Sequence, residues 1–409
     1  MSAAEIDALA QRLRPHYGRF LARRDGEVLL TAHSHQAWPD VAREAHLEAW
    51  DDAARYVDGK WRTIFDEVLP AYRRRVVQRL GSDRADHLAV APNTHELGER
   101  LLSCLSPTAR IVTTDGEFHS LRRQLSRSAE DGLRVEWVPV EDSTPAESAP
   151  ERDAEARDRR LADRIVAAVD RSPTDLVALS HVFFGTGRVF RGLEGLLDRL
   201  AQRDVPVLVD LYHSFNVLQL SLDRWPGQVF AVGGGYKYAQ SGEGNCWMLL
   251  PRNLQSYRPR YTGWFSDFAH LSETPTEVGY GPGYLRFMGS TFDPTPFYRG
   301  RRVLAWMDAE GLTPAVLEAA VRRSTGFLIA RYDALRLADR GLALRSPRSP
   351  RHRGGFVAFG RADAAALSDG LRARGIHTDV RGDVIRLGPA PYTDSRGLDR
   401  AMHALAEML

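Results

Sequence analysis

V-P-V-L-V-D-L-Y-H-S-F (205–215) and V-F-A-V-G-G-G-Y-K-Y (229–238) decide how this chain is read. Each is an apolar run of strand length that ends in polar chemistry, an acid and a histidine in the first and a tyrosine and a lysine in the second. In an open α/β sheet the residues just past the carboxyl ends of strands line the ligand crevice. Asp210, His213, Tyr236 and Lys237 are therefore expected to share one site.

Working outward, the same grammar repeats. H-L-A-V-A-P-N-T-H-E-L-G (87–98) reads as strand, turn and helix start, with Asn93 or Thr94 as N-cap and Glu96 in the first turn. A-R-I-V-T-T-D-G-E-F-H-S (109–120) does so again. L-R-V-E-W-V-P-V-E (133–141), T-D-L-V-A-L-S (174–180) and N-C-W-M-L-L-P (245–251) are further strands, and an amphipathic helix over 193–203 leads back into the opening strand. This alternation predicts an α/β fold, a doubly wound, mainly parallel sheet with helices on both faces.

The flanks read differently. Residues 6–20 have the helical period, E-V-L-L-T-A-H-S-H-Q (27–36) is a short strand ending in a polar turn, and 40–80 reads as two long amphipathic helices with Trp50, Tyr56, Trp61, Phe65 and Leu69 on their apolar faces. Residues 143–160 look like a surface insertion running into a helix. Y-T-G-W-F-S-D-F (261–268) is an aromatic loop, and 279–296 is a loop rich in Gly and Pro. A long helix from Tyr298, then G-G-F-V-A-F, a helix over 364–374 and D-V-I-R-L-G-P-A-P-Y suggest a smaller α+β lobe. The expected division is a large domain over 46–296 and a small one built from 1–45 and 297–409, without an internal repeat.

The chain has 409 residues, 43% of them hydrophobic, enough for a large core. With 55 Lys and Arg against 53 Asp and Glu, the net charge of +2 gives no reason to expect nucleic acid or an anionic membrane as partner. Two cysteines without metal-ligand spacing argue against a disulfide framework or a zinc site and fit a reducing cytoplasm. The first residues have a helical period rather than a leader pattern, and no apolar run reaches membrane-spanning length. His33, Ser34 and His35 sit together in a turn, but without a carboxylate or cysteine in a recognisable pattern they read as a site lip or an ordinary loop; no metal is expected.

A lysine at the mouth of a sheet can serve as a Schiff-base nucleophile if its amine is desolvated or close to another charge. An aspartate at the end of a neighbouring strand is what a pyridoxal phosphate ring needs to keep its nitrogen protonated. Asp210 and Lys237 have those positions, although a surface lysine and a capping aspartate would give the same letters. The helix start near Asn93 offers free N–H groups to a phosphate, or is simply a capped helix. Gly233, Gly234 and Gly235 lack the G-x-G-x-x-G spacing of a dinucleotide loop, and close backbone packing near a cofactor is the better reading.

Taken together, V-L-V-D-L-Y-H-S, A-V-G-G-G-Y-K-Y and the later G-W-F resemble the kynureninase branch of the fold-type-I pyridoxal phosphate enzymes, within the class V aminotransferase superfamily. The resemblance extends weakly from the amino-terminal arm to R-L-G-P-A-P-Y. It implies that Lys237 holds pyridoxal 5'-phosphate as a Schiff base and moves protons at the substrate α-carbon, that Asp210 bonds the pyridine nitrogen, that His213 supports the aspartate or ring, and that Tyr236 contacts the phosphate. It further implies Phe118 as the stacking ring, Ser120 beside it, Asn93 and Thr94 at the phosphate, and Trp264 and Thr291 as phosphate contacts given to a partner subunit, hence a homodimer with shared sites. Arg386 would hold the substrate α-carboxylate, where a bidentate fork favours Arg over Lys.

Two departures bear on the substrate. The family's G-N-S-L-G turn reads A-H-S-H-Q here, and the proline after the stacking phenylalanine is His119. Ser34, His35 and His119 thus become the candidate substrate-binding residues. The reaction implied is hydrolytic cleavage between the β and γ carbons of an α-amino acid. The rivals are a C–S lyase or an aminotransferase on the same cofactor, and a catalytically inactive binding protein, which retention of both Asp210 and Lys237 opposes.

Overall fold

The computed structural model describes residues 3–140, 151–271 and 277–409. Residues 143–150 of the expected insertion lie outside them, and the helix that follows runs Glu151–Arg171. Strand β1 (Val28–Leu29) comes first, and then β2 (Leu88–Ala91), β3 (Arg110–Thr114), β4 (Arg134–Val138), β5 (Leu176–Ser180), β6 (Val207–Asp210), β7 (Val229–Gly234) and β8 (Cys246–Leu249). The last seven form one sheet in the order β2-β8-β7-β6-β5-β3-β4. From β7 to β4 every pairing is parallel, while β8 runs antiparallel between β2 and β7. The α/β, mainly parallel sheet read from the sequence is the fold.

Apart from the edge strand β4, the strands are buried on both faces because both faces are covered, and their side chains alternate between two cores. Val112, Val177, Leu179, Val207 and Val209 join one apolar cluster with the helix Leu193–Ala201. Ile111, Leu176, Ala178, Leu208 and Val232 join another, with Leu97 and Leu125 from the helices Thr94–Leu102 and His119–Glu130. Asp210 has the parity of Leu208, so it emerges at the strand end on the side of these two helices.

The second, smaller sheet is β12-β13-β10-β9, from β9 (Ala343–Leu344), β10 (Val357–Gly360), β12 (Asp379–Arg381) and β13 (Val384–Leu387). β11 (Ile376–His377) pairs in parallel with β1. Ile6, Val28 and Leu30 share an apolar cluster with Leu328, Phe359, Leu387 and Leu405, so the two ends of the chain meet in one core.

Several local expectations differ from the structure for identifiable reasons. The first helix over 40–80 ends at Tyr56, where Val57 takes a left-handed φ of 50°, and a π-helical turn over Ile64–Val68 precedes the helix Leu69–Arg79. That first helix buries Ala42, Ala45 and Ala49, while Trp50, turned away from them, is 71% exposed. The long helix after Tyr298 is two, Thr295–Ala309 and Pro314–Ala334, separated at Gly311 (φ 66°) and restarted by Thr313 as N-cap with proline at the first position. The loop over 279–296 contains one 3₁₀ turn, Gly283–Phe287. Among the described residues no helix is long and apolar enough to cross a membrane.

Candidate active site

The parallel pairing aligns Asp210 with Val232 across β6 and β7, so the two motif ends open on the same edge of the sheet. Lys237 follows β7 by three residues and is only 5% exposed. Its backbone carbonyl accepts a 2.6 Å hydrogen bond from Gln36 Nε2, which fixes the loop to the amino-terminal arm. Its Nζ lies 2.9 Å from His213 Nε2, 4.6 Å from the Tyr212 ring centre and 5.5 Å from that of Phe118. Burial lowers the Lys237 amine to about 7, partly opposed by Asp210 and assisted by Arg386, so near neutral pH much of it is a free base.

Asp210 accepts a 2.7 Å bond from the Tyr212 amide, and burial raises its pKa, with that amide and Lys237 opposing. His213 therefore meets the lysine, not the aspartate. Burial first and the Lys237 charge second hold this imidazole well below its usual range, so it is neutral. Among the described residues its buried Nδ1 has no hydrogen-bond partner, and the desolvation of such a group costs free energy unless something bonds to it.

The glycine triplet makes this packing feasible. A methyl on Gly233 would meet the Trp247 ring at 2.5 Å, and one on Gly234 would meet the Cys246 sulfur at 2.6 Å. The thiols themselves are inert, since burial raises both Cys104 and Cys246 to about 12, and both are free.

A cleft opens from Asp210 to the two helix starts and is lined by Thr94, Phe118, Ser120, Leu208, Asp210 and Val232, among others. Asn93 spends its side chain as the N-cap, accepting from the Glu96 amide at 2.8 Å, and Thr94 presents the first turn to the cleft. Phe118 stands edge-on to Phe184 at 5.6 Å, and His119 packs on the same ring at 5.1 Å. The residue before Phe118, Glu117, is buried and was not singled out from the sequence. Nothing periodic marks a lone glutamate in a turn.

The small lobe supplies the other wall. β12 and β13 are antiparallel with Asp379 opposite Arg386. Arg386 is buried, and its Nη2 donates to Asp379 while Nη1 donates to the Phe184 carbonyl at 2.7 Å. Its Nε is buried without a partner. Asp379 also accepts from Arg381 at 2.7 Å, and its Oδ2 faces His33 Nε2 at 3.4 Å. Burial alone would raise this carboxyl, but His33 and Arg386 hold it well below the usual range. Sequence reasoning passed over Asp379, although D-V-R-G-D-V-I-R, read as a hairpin turning at Gly382, pairs it with Arg386.

The other candidates divide. His35 stacks on the Tyr236 ring at 5.0 Å, bonds Ser34 Oγ at 3.1 Å and lies 3.1 Å from Glu243, a polar rim beside Lys237. His33 is wholly buried against Phe356, and burial lowers its pKa to about 4. Trp264 and Thr291 do not line the Asp210 cleft. Their two loops touch each other instead: the Phe265 amide donates to the Gly289 carbonyl at 3.1 Å, and Trp264 stacks on Phe265 at 4.4 Å, 41% exposed. Among the described residues no group of three His, Cys, Asp or Glu is arranged to hold a metal.

The site thus combines a buried near-neutral amine, a half-buried carboxyl at a cleft, an aromatic face, a helix N-terminus and, among the described residues, an orphaned imidazole nitrogen. These are the donors and acceptors a flat, phosphorylated aldehyde with a basic ring nitrogen would satisfy, and the residues present fit pyridoxal phosphate. Comparison with known proteins agrees. Residues 317–405, which include Asp379 and Arg386, match the kynureninase C-terminal domain family. The isopenicillin N epimerase of Streptomyces clavuligerus is 28% identical over 81% of this chain and 82% of its own. The kynureninase of Bacillus anthracis is 24% identical over 52% of this chain and 50% of its own. A structure of a C-DES mutant with glycine covalently linked to its PLP cofactor superposes with a TM-score of 0.81 at 18% identity, covering 96% of this chain and 99% of that one. The kinship read from D-x-x-H, Y-K and G-W-F holds.

Proposed function

We propose that this chain, a fold-type-I relative of the kynureninases and of isopenicillin N epimerase, is a pyridoxal-phosphate-dependent enzyme that works at the α-carbon of an amino acid. The observation that carries the reading is the Lys237 amine, buried yet near neutrality and electrostatically coupled to the half-buried Asp210 carboxyl, which lines the cleft. When bound, pyridoxal phosphate supplies an electron sink for the charge left on the substrate carbon.

The chain's residues do the rest. Lys237 would be the amine that holds the cofactor, and its free amine would be the base for the proton at the substrate α-carbon. His213 Nε2, 2.9 Å from Nζ, gives the lysine a neutral hydrogen-bonding partner. Asp210 supplies negative charge for the ring nitrogen, and Phe118 supplies an aromatic face, worth about 1 kcal/mol as an offset stack. Thr94, Ser120 and the helix N-terminus offer hydroxyls and amides to the phosphate. Arg386 holds the substrate carboxylate through N–H groups not taken by Asp379 or Phe184. Ser34, His35 and His119 at the rim select the side chain. Trp264 and Thr291, exposed on two loops that touch through Phe265 and Gly289, serve the site of a second copy in a homodimer.

For the reaction itself the first reading is kynureninase-like hydrolytic Cβ–Cγ cleavage, supported by the domain match that contains Arg386. A second is inversion at the α-carbon, favoured because the epimerase is matched over 81% of this chain and 82% of its own. Incubating holoenzyme with kynurenine, 3-hydroxykynurenine, cystine and a panel of L-amino acids in D₂O separates them. Anthranilates with alanine support the first reading, and α-deuterated D-product supports the second. Pyruvate or a keto acid would replace both with β-elimination or transamination. A wild type without a band near ~420 nm after exposure to the cofactor would sink the cofactor assignment.

A further inference from the structure

Glu117 is a buried carboxyl for which the chemistry above has no use. It sits in the turn between β3 and the helix His119–Glu130, is 1% exposed, and immediately precedes Phe118. Its Oε1 accepts from Thr114 Oγ1 at 2.6 Å and from the Ser180 amide at 3.1 Å, and its Oε2 lies 2.6 Å from Ser180 Oγ. Ser180 is the last residue of β5 and the register partner of Asp210 in β6. The turn is sterically closed as well, since a methyl on Gly116 would strike Phe183 at 2.8 Å and Val140 at 2.9 Å. One side chain therefore ties the turn that carries Phe118 to the strand end beside Asp210.

We propose that Glu117 is a positioning residue for the cofactor ring: it pins Phe118 over the cleft and, as a buried carboxyl one strand away from the half-buried Asp210, governs which of the two carries the negative charge. This rests on the proposed cofactor assignment. Two carboxyls near one another in a desolvated place resist ionising together, so a proton kept on Glu117 leaves the charge to Asp210, where the ring nitrogen needs it. Burial pushes Glu117 up to about 7, with Ser180 and Thr114 opposing and Asp210 assisting. The groups facing it are the Thr114 hydroxyl from β3, the Ser180 amide and hydroxyl from β5, and the Asp210 carboxyl from β6.

The sign of the linkage is fixed by that direction. A carboxyl whose folded pKa lies above its unfolded value gives stability that is complete below about 4.5 and is lost as pH rises toward about 7. Glu117→Gln keeps the shape and removes the titration. In the cofactor-free protein the melting temperature of wild type relative to Glu117→Gln should decline from pH 4.5 to 7 and then level off. With pyridoxal phosphate bound, the pH midpoint of the cofactor absorbance should move by about one unit in Glu117→Gln, with turnover down roughly tenfold and KM within about twofold. Glu117→Ala should also weaken the visible circular dichroism of the cofactor, because Phe118 is released.

A Gln variant with the wild-type melting profile and the wild-type absorbance midpoint overturns the proposal and leaves Glu117 a simple brace. If Glu117→Gln does not fold, Ser180→Ala, which removes one of the bonds, must shift the same midpoint, and an unmoved midpoint there is equally fatal. A wild type that binds no cofactor refutes the cofactor assignment and is seen as such, because the cofactor-free melting series is read independently of it.

Discussion

Two walls face each other across Lys237, and they are built on opposite plans. The wall from the large sheet is short-range in sequence: Asp210, Tyr212 and His213 come from one strand end, Tyr236 and Lys237 from the next, and the ionisable groups are left with free capacity, as in the unpartnered His213 Nδ1. The wall from the small lobe gathers His33, Asp379, Arg381 and Arg386 from both ends of the chain, and its charges already answer one another. The first waits for a partner that the protein does not supply. The second is paired in advance though still net positive, with two arginines on one carboxylate, so a substrate carboxylate must share Arg386 with Asp379 and the Phe184 carbonyl.

The contrast can be broken by substitution. Lys237→Ala should reduce turnover by on the order of 10³-fold or more and abolish the cofactor band, and a variant that keeps either would show that the large-sheet wall is not where the chemistry lies. Asp210→Asn should follow with a loss of about 10²-fold in turnover and little change in KM, because it removes a charge needed only as the carbanion develops. Asp379→Asn tests the opposite wall. It leaves Arg386 buried against a neutral partner, which costs about 3 kcal/mol of stability in chemical denaturation, and it should change KM by about tenfold while cofactor affinity stays within about twofold. A fall in cofactor affinity there would mean that the walls are not independent.

The smallest effect is a pH dependence. Capture of pyridoxal phosphate by the cofactor-free protein requires the neutral amine, so its rate should fall tenfold per unit below about pH 7 and flatten above it in stopped-flow absorbance. The same lowered pKa means that the unfolded chain binds the extra proton between about 7 and 10.5, so this group adds stability as pH rises through that window. Lys237→Met should erase that rise and melt a few degrees higher near pH 7.

What the sequence disclosed follows the same division. Asp210 and Lys237 were legible because strand ends place residues by a rule that needs no long-range knowledge. Phe118 and Arg386 became legible through the family resemblance. Glu117 and Asp379 were not, since their importance arises from burial against Ser180 and Arg386, and burial is a property of packing rather than of spacing. The aromatic faces assigned to the helices over 40–80 misplaced Trp50 for a related reason: alanines at Ala42, Ala45 and Ala49 allow close helix contact, and a count of large apolar residues overlooks them.

The antiparallel strand β8 carries a consequence for synthesis. β2 lies at the sheet edge with β8 as its one neighbour, and the two are separated by more than 150 residues of chain. A nascent chain emerging from the ribosome can assemble β3 to β7 in order, but β2 has no berth until Cys246–Leu249 has been made. The edge of β7, from which the loop of Lys237 departs, stays unpaired for the same interval. Long-range pairing of this kind slows folding. Completion of this sheet thus waits for the seating of β8, and ribosome-stalled chains truncated before Asn245 should remain protease-sensitive at β2 while those long enough to carry Leu250 clear of the exit tunnel become protected.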